Sequence, residues 1–230
     1  MSIEELMKKP IPKYSKGEEL FNWISHLVGA LTFFASLVVF IILSILNQYN
    51  GLVIASLIFY SLCMLLMFTN STIYHGIKPT RALKRVARVI DHNTIYFAIA
   101  GTYAPVCAIG LTSIFPGNLI IFIVEIVGLI VGSILNIVDI NHKFIKYFSI
   151  ALYVIMGWAV VLYYPAMLSL PLDSFIYLLS GGIAYTLGVI FYAVGKKKKW
   201  MHSVFHLFVL LGAVLQLVSV LFLILFSPWL

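Results

Sequence analysis

The chain has 230 residues, of which 62% are hydrophobic and 10% charged, against roughly 45 to 50% apolar and about 25% charged in ordinary soluble domains. A mean hydropathy of +1.06 leaves too little charge to wet the surface of a soluble fold of this size, so soluble classes are excluded. The formal net charge of +7 keeps a polyanionic partner open until the cations are located.

Crossing a hydrocarbon core of about 30 Å takes about 20 apolar residues. Such runs fall at 21–46, 51–75, 92–111, 118–138, 144–163, 174–194 and 203–226. They predict an all-α integral membrane protein with seven transmembrane helices, a tail over residues 1–20 and one transmembrane domain over 21–230. Breakers separate the runs: Asn47 to Gly51, Lys78-Pro79, Pro116-Gly117-Asn118, Asn141-His142, Pro165, Pro171 with Asp173, and Gly195.

In chain order, the tail carries Lys8, Lys9, Lys13 and Lys16 beside Glu4, Glu5, Glu18 and Glu19. It is too polar and acidic for a cleavable signal, so the first span is expected to serve for insertion. That span opens with Asn22, Ser25 and His26, which either support a neighbouring site or make a polar contact between helices. The second span holds Cys63, then Ser71 and His75 at i, i+4. In the following connection Leu83, Val86 and Ile90 recur at helical spacing opposite Arg81, Lys84, Arg85 and Arg88, the pattern of a short interfacial helix lying on anionic headgroups.

The third span begins at Asp91-His92 and contains Gly101-Thr102-Tyr103-Ala104-Pro105. A kink is expected there, because proline removes one ladder bond and small residues admit a neighbour. Cys63 and Cys107 read as small apolar packing. Glu125 lies about 10 Å inside the fourth span by helical rise, with no role assigned, and His142 reads as a solvated loop residue. The seventh span opens with His202 and His206 at i, i+4, which puts both imidazoles on one helix face.

All 15 Lys and Arg fall in the tail or in the second, fourth and sixth connections, the last two holding Lys143, Lys146 and Lys196, Lys197, Lys198, Lys199. This is a positive-inside partition. It predicts a multi-pass protein of the cytoplasmic membrane with its N-terminus in the cytoplasm and its C-terminus outside. The basic excess is thereby accounted for as topology, and nucleic acid is excluded as a partner.

The same cations set a depth scale. His75 lies three residues before Lys78, Asp91 three after Arg88 and His202 three after Lys199, each roughly 4 to 5 Å inward along its helix. A lone histidine at a membrane boundary is ordinarily an anchor. Here ligand-type side chains from three spans meet at one depth, where an unpaired ionisable group is costly. Three histidines with an open fourth position describe a catalytic zinc, since structural sites close all four. Asp91 is then placed to orient the attacking water or accept its proton.

Together, Asn22-x-x-Ser25-His26-x-x-Gly29, Ser71-Thr-Ile-Tyr-His75, Arg88-Val-Ile-Asp91-His92, Ala100-Gly-Thr-Tyr-Ala-Pro105 and His202-Ser-Val-Phe-His206 resemble the hemolysin III branch of the progestin and adipoQ receptor family, from about residue 15 onward. The short chain is similar to the bacterial members. The resemblance implies zinc on His75, His202 and His206, Asp91 against the water, and Ser71 as a further catalytic-site residue; Asn22, His26 and His92 stand, from the residues themselves, as candidates to support the ligands. Where receptor members carry a Ser-Gly stretch after the aspartate, this chain has His92-Asn93.

Alkaline ceramidases in the same superfamily imply hydrolysis of a lipid amide or ester, linked to membrane lipid homeostasis, with membrane lipids as partners. Two alternatives stand beside it: a sensor of membrane composition with a structural zinc, and a cytolytic or pore-forming protein. A retinal protein is disfavoured because every lysine lies in the tail or a connection, outside the spans.

Overall fold

A computed structural model describes residues 11–78, 82–195 and 198–226. Lys8, Lys9, Glu4 and Glu5 of the tail, and Arg81, Lys196 and Lys197 of the connections, lie outside the described residues. Within them the chain is all-helical, with no strand. The elements are α1 (Lys16–Leu46), α2 (Gly51–Gly76), α3 (Ala82–Pro105), a π turn (Val106–Gly110), a 3-10 turn (Thr112–Ile114), α4 (Gly117–Asp139), α5 (Lys143–Gly157), α6 (Ala159–Leu162), α7 (Tyr164–Ser169), α8 (Leu172–Gly195) and α9 (Met201–Phe226).

Among the described residues five helices, α1, α2, α4, α8 and α9, are long and apolar enough to cross a membrane. The protein is thus an all-α membrane protein. The remaining two expected spans are the segments whose sequence is least like hydrocarbon-facing helix. The first half of α3 carries Lys84, Arg85, Arg88 and Asp91, and the run at 144–163 is broken after Gly157. Successive helices pack side by side from α1 to α5, α8 packs on α9, and α9 returns to α1, so the bundle closes on itself.

The first helix starts at Lys16, earlier than the apolar run, because Ser15 and Glu18 form a capping box: Glu18 N–H donates to Ser15 Oγ at 3.3 Å and Ser15 N–H to Glu18 Oε2 at 2.9 Å. Asn50 caps α2 in turn, accepting from the amides of Leu52 and Val53 at 3.0 Å each.

The expected interfacial helix is not a separate element. Leu83, Val86 and Ile90 do form an exposed apolar stripe, but they run without a break into the rest of α3. Lys84 and Arg88 are buried against protein rather than turned to headgroups. No breaker stands between residue 82 and Gly101, so one helix carries both patterns.

The kink at Gly101 to Pro105 takes the form of a π turn beginning after Pro105. A Cβ at Gly101 would stand 2.6 Å from Cys63 Cβ, so this glycine sets how closely α3 approaches α2. Cys63 and Cys107 are buried free thiols. The break in the fifth run is at Trp158, whose φ and ψ are −101° and 5°. There Tyr103 O–H donates to Gly157 C=O at 3.2 Å, and Val160 N–H donates to the Tyr103 oxygen at 3.0 Å. A tyrosine from α3 thus takes up backbone groups that the interrupted helix frees.

Candidate metal centre

Among the described residues, Lys16, Lys78, Lys84 and Lys199 lie where the start of α1, the end of α2 and the starts of α3 and α9 come together, and the histidines lie just inside that end. The last turn of α2 carries His75, and the first two turns of α9 carry His202 and His206, which the i, i+4 spacing places on one face. All three are buried, and one ligand nitrogen from each lies within 4.8 Å of the others. His206 Nε2 and His202 Nε2 are 3.1 Å apart, and the His75 ring lies 4.7 Å from that of His206 and 5.6 Å from that of His202, centre to centre.

The donor set suits a borderline divalent cation. His75 Nδ1 lies 2.6 Å from Glu19 Oε2, while its Nε2 is buried and has no hydrogen-bond partner among the described residues. A buried imidazole with one nitrogen held by a carboxylate and the other turned to two more imidazoles is a ligand arrangement. As a purely structural cluster it would leave nitrogen lone pairs unsatisfied away from water. Three imidazoles without a thiolate fit zinc, copper, iron or nickel in kind.

Asp91, Ser71, His26, His202 and His206 line one cavity of about 170 Å³. It runs from the histidines past Tyr185 and Trp158 to Gln216, between α3, α5, α8 and α9. His92 Nδ1 stands 3.4 Å from Asp91 Oδ2 and 2.9 Å from the Arg88 carbonyl, so it flanks the aspartate and does not join the three ligands. His26 packs its ring on His206 at 3.9 Å. Asn22, fully buried, has both side-chain polar atoms unpartnered among the described residues. Of the expected candidates, Ser71, His75, Asp91, His202 and His206 are brought together with His26 and His92 beside them, while the Asn22 side chain makes no hydrogen bond to the group among the described residues and His142 is apart and exposed.

Three contributors were not expected. Glu19, a tail residue by the apolar runs, binds His75 and forms an ion pair with Lys84, itself fully buried. Lys84, a headgroup cation by its helical spacing, turns inward instead. Tyr14 stacks on His202 with ring centres 4.5 Å apart and planes 15° from parallel, covering the site at the basic end. A signal for Glu19 exists in the spacing Glu19, Asn22, His26, which puts all three on one face once the helix is started at Lys16.

A family model described as "Haemolysin-III related" matches residues 14–217. The chain is 32% identical over 209 residues to "Hemolysin-3" of Bacillus cereus, covering 90% of this chain and 92% of that protein. It is 35% identical over 207 residues to "Hemolysin-3 homolog" of Bacillus subtilis (strain 168), covering 89% and 93%.

Proposed function

The chain belongs to the haemolysin-III related family, and we propose that it is a zinc-dependent hydrolase of a lipid amide or ester, acting in the cytoplasmic membrane with the basic end of a seven-span bundle toward the cytoplasm. The observation that carries the reading is the convergence of His75, His202 and His206 beside a cavity that Asp91 and Ser71 also line. The partition of the cations supports the orientation, and the proximity of the histidines to that end supports an inner-leaflet substrate.

His75, His202 and His206 would hold the ion. Bound there, zinc supplies Lewis-acid polarisation of a carbonyl and a nucleophile at neutral pH. Asp91 accepts the proton of the attacking water and delivers it to the leaving group, with His92 holding its carboxylate from one side. Ser71, one turn before His75 on α2, positions the carbonyl by its hydroxyl. The apolar walls of the cavity take the acyl chain, and Tyr14 keeps bulk water from the basic end.

A sensor with a structural metal is the second reading. It is favoured by the ties of Glu18 and Glu19 to α2, α3 and α9, which link the helices around the site. Metal analysis of purified protein tests the premise common to both: near-stoichiometric zinc in wild type, lost in His75→Ala and His206→Ala. No metal in wild type refutes it. Asp91→Asn then separates the readings, with zinc retained and lipid hydrolysis down by about 10²–10⁴-fold if the protein is a hydrolase. Unchanged hydrolysis, or full complementation of a deletion by Asp91→Asn, favours the sensor. Release of dye from vesicles by zinc-free protein at low protein-to-lipid ratio would support a cytolytic activity instead.

A further inference from the structure

Resting on that metal site, we propose that the first turn of α1 assembles it, with Glu19 as the positioning residue that fixes which nitrogen His75 presents to the ion. Glu19 Oε2 lies 2.6 Å from His75 Nδ1. A carboxylate accepts and does not donate, so His75 turns a protonated Nδ1 to Glu19 and Nε2 is the nitrogen left to take the ion. That Nε2 is the atom without a partner among the described residues. Without the carboxylate either tautomer is open to the ring, and one of them puts a proton where the ion must bind.

Lys84 completes the arrangement. Its ammonium is fully buried, pairs with the other Glu19 oxygen and lies 4.9 Å from the centre of the Tyr74 ring. It fixes the carboxylate plane of Glu19 from the second oxygen, so the oxygen aimed at His75 cannot swing away. Lys84 is on α3, two turns before Asp91, and His75 ends α2. One carboxylate from α1 therefore ties the helix bearing the ligand to the helix bearing the aspartate.

The residue before it ties the third helix. Glu18 Oε1 accepts from the Trp200 amide at 2.7 Å. Trp200 has φ 67°, in the left-handed region that a bulky residue rarely adopts. It immediately precedes α9, so the hydrogen bond sets the entry of the helix that carries His202 and His206. Adjacent acids on a helix point about 100° apart, which lets Glu18 and Glu19 reach opposite neighbours. The pair thereby gathers all three elements of the site.

Zinc affinity of the full-length protein in detergent, measured by chelator competition, tests this with Glu19→Leu/Lys84→Met, which removes the acceptor as well as both charges. Removing both charges together leaves no orphaned ion, so the fold is kept, and unfolding of the metal-free protein serves as the control. The expected result is a zinc Kd raised by about 10–100-fold with metal-free unfolding unchanged. In zinc-loaded wild type, ¹⁵N-histidine NMR is expected to show His75 ligated through Nε2 with its proton on Nδ1. A Kd within about twofold of wild type, or His75 ligated through Nδ1, overturns the proposal and leaves the metal site standing. Wild type that binds no zinc removes the site itself and this inference with it.

Discussion

Glu19 and Glu125 are both carboxylates carried into the bundle on long helices, and their surroundings differ in every respect. Glu19 has an imidazole on one oxygen and an ammonium on the other, supplied by two different helices. Glu125, on α4, is fully buried, and neither of its oxygens has a hydrogen-bond partner among the described residues. The hydroxyl of Tyr103, which belongs to its electrostatic surroundings, already serves the backbone break at Gly157 and Val160. At the basic end polar side chains are joined across helices into one network. Around Glu125 the polar chemistry goes to repairing backbone, and the side chain is left over. A buried acid therefore marks a working site only where other elements converge on it.

The sharpest way to break that contrast is to remove one partner from the joined region. Glu19→Ala alone strands the Lys84 ammonium in the bundle, and loss of one member of a buried ion pair costs about 3–5 kcal/mol. The check is the unfolding free energy of metal-free protein in a detergent titration, set against the double variant in which both charges are gone. A loss below about 1 kcal/mol, the level of an exposed pair, would mean that Lys84 reaches water and that the network at this end is not a structural tie.

A smaller effect is expected where the two regions meet. Gly101→Ala brings a Cβ to 2.6 Å from Cys63 Cβ, which α2 and α3 can relieve only by moving apart, at a cost of about 1–3 kcal/mol. Because the clash is with Cβ and the sulfur stands farther off at 3.2 Å, Cys63→Gly is expected to restore stability and Cys63→Ala is not. Equal rescue by both would place the strain at the sulfur. The same α2 and α3 carry Ser71, His75 and Asp91, so this variant also tests how far site geometry depends on their spacing.

How much of this was legible depended on whether the signal was local. The long apolar helices and the pairing of His202 with His206 follow from periodicities of a few residues. Convergence of His75 with that pair was reachable because the cations gave a common depth. Glu19 was missed because an apolar run marks where a helix enters hydrocarbon, and α1 begins one turn earlier, at the cap formed by Ser15 and Glu18. Lys84 was misread because its partner lies 65 residues away in the sequence, and no local pattern separates a buried lysine from one on headgroups. The break at Trp158 was invisible for a related reason: what makes it tolerable is Tyr103, on another helix.

The smallest effect is expected at Glu125. Glutamine keeps the volume of the side chain, and since neither carboxylate oxygen has a partner among the described residues, Glu125→Gln breaks no hydrogen bond or ion pair among them. The cost of burying a polar group without a partner is already present in the wild-type protein, so the exchange should leave unfolding within about 1 kcal/mol of wild type. Zinc content should also stay unchanged, because Glu125 lines neither the histidine group nor the cavity beside it. The same isosteric exchange at Glu19 removes a charge on which both His75 and Lys84 depend. If Glu125→Gln instead lowered stability as much as Glu19→Ala, or reduced bound zinc, the two carboxylates would belong to one coupled system. The contrast between joined and leftover polar groups would then fail at its simplest point.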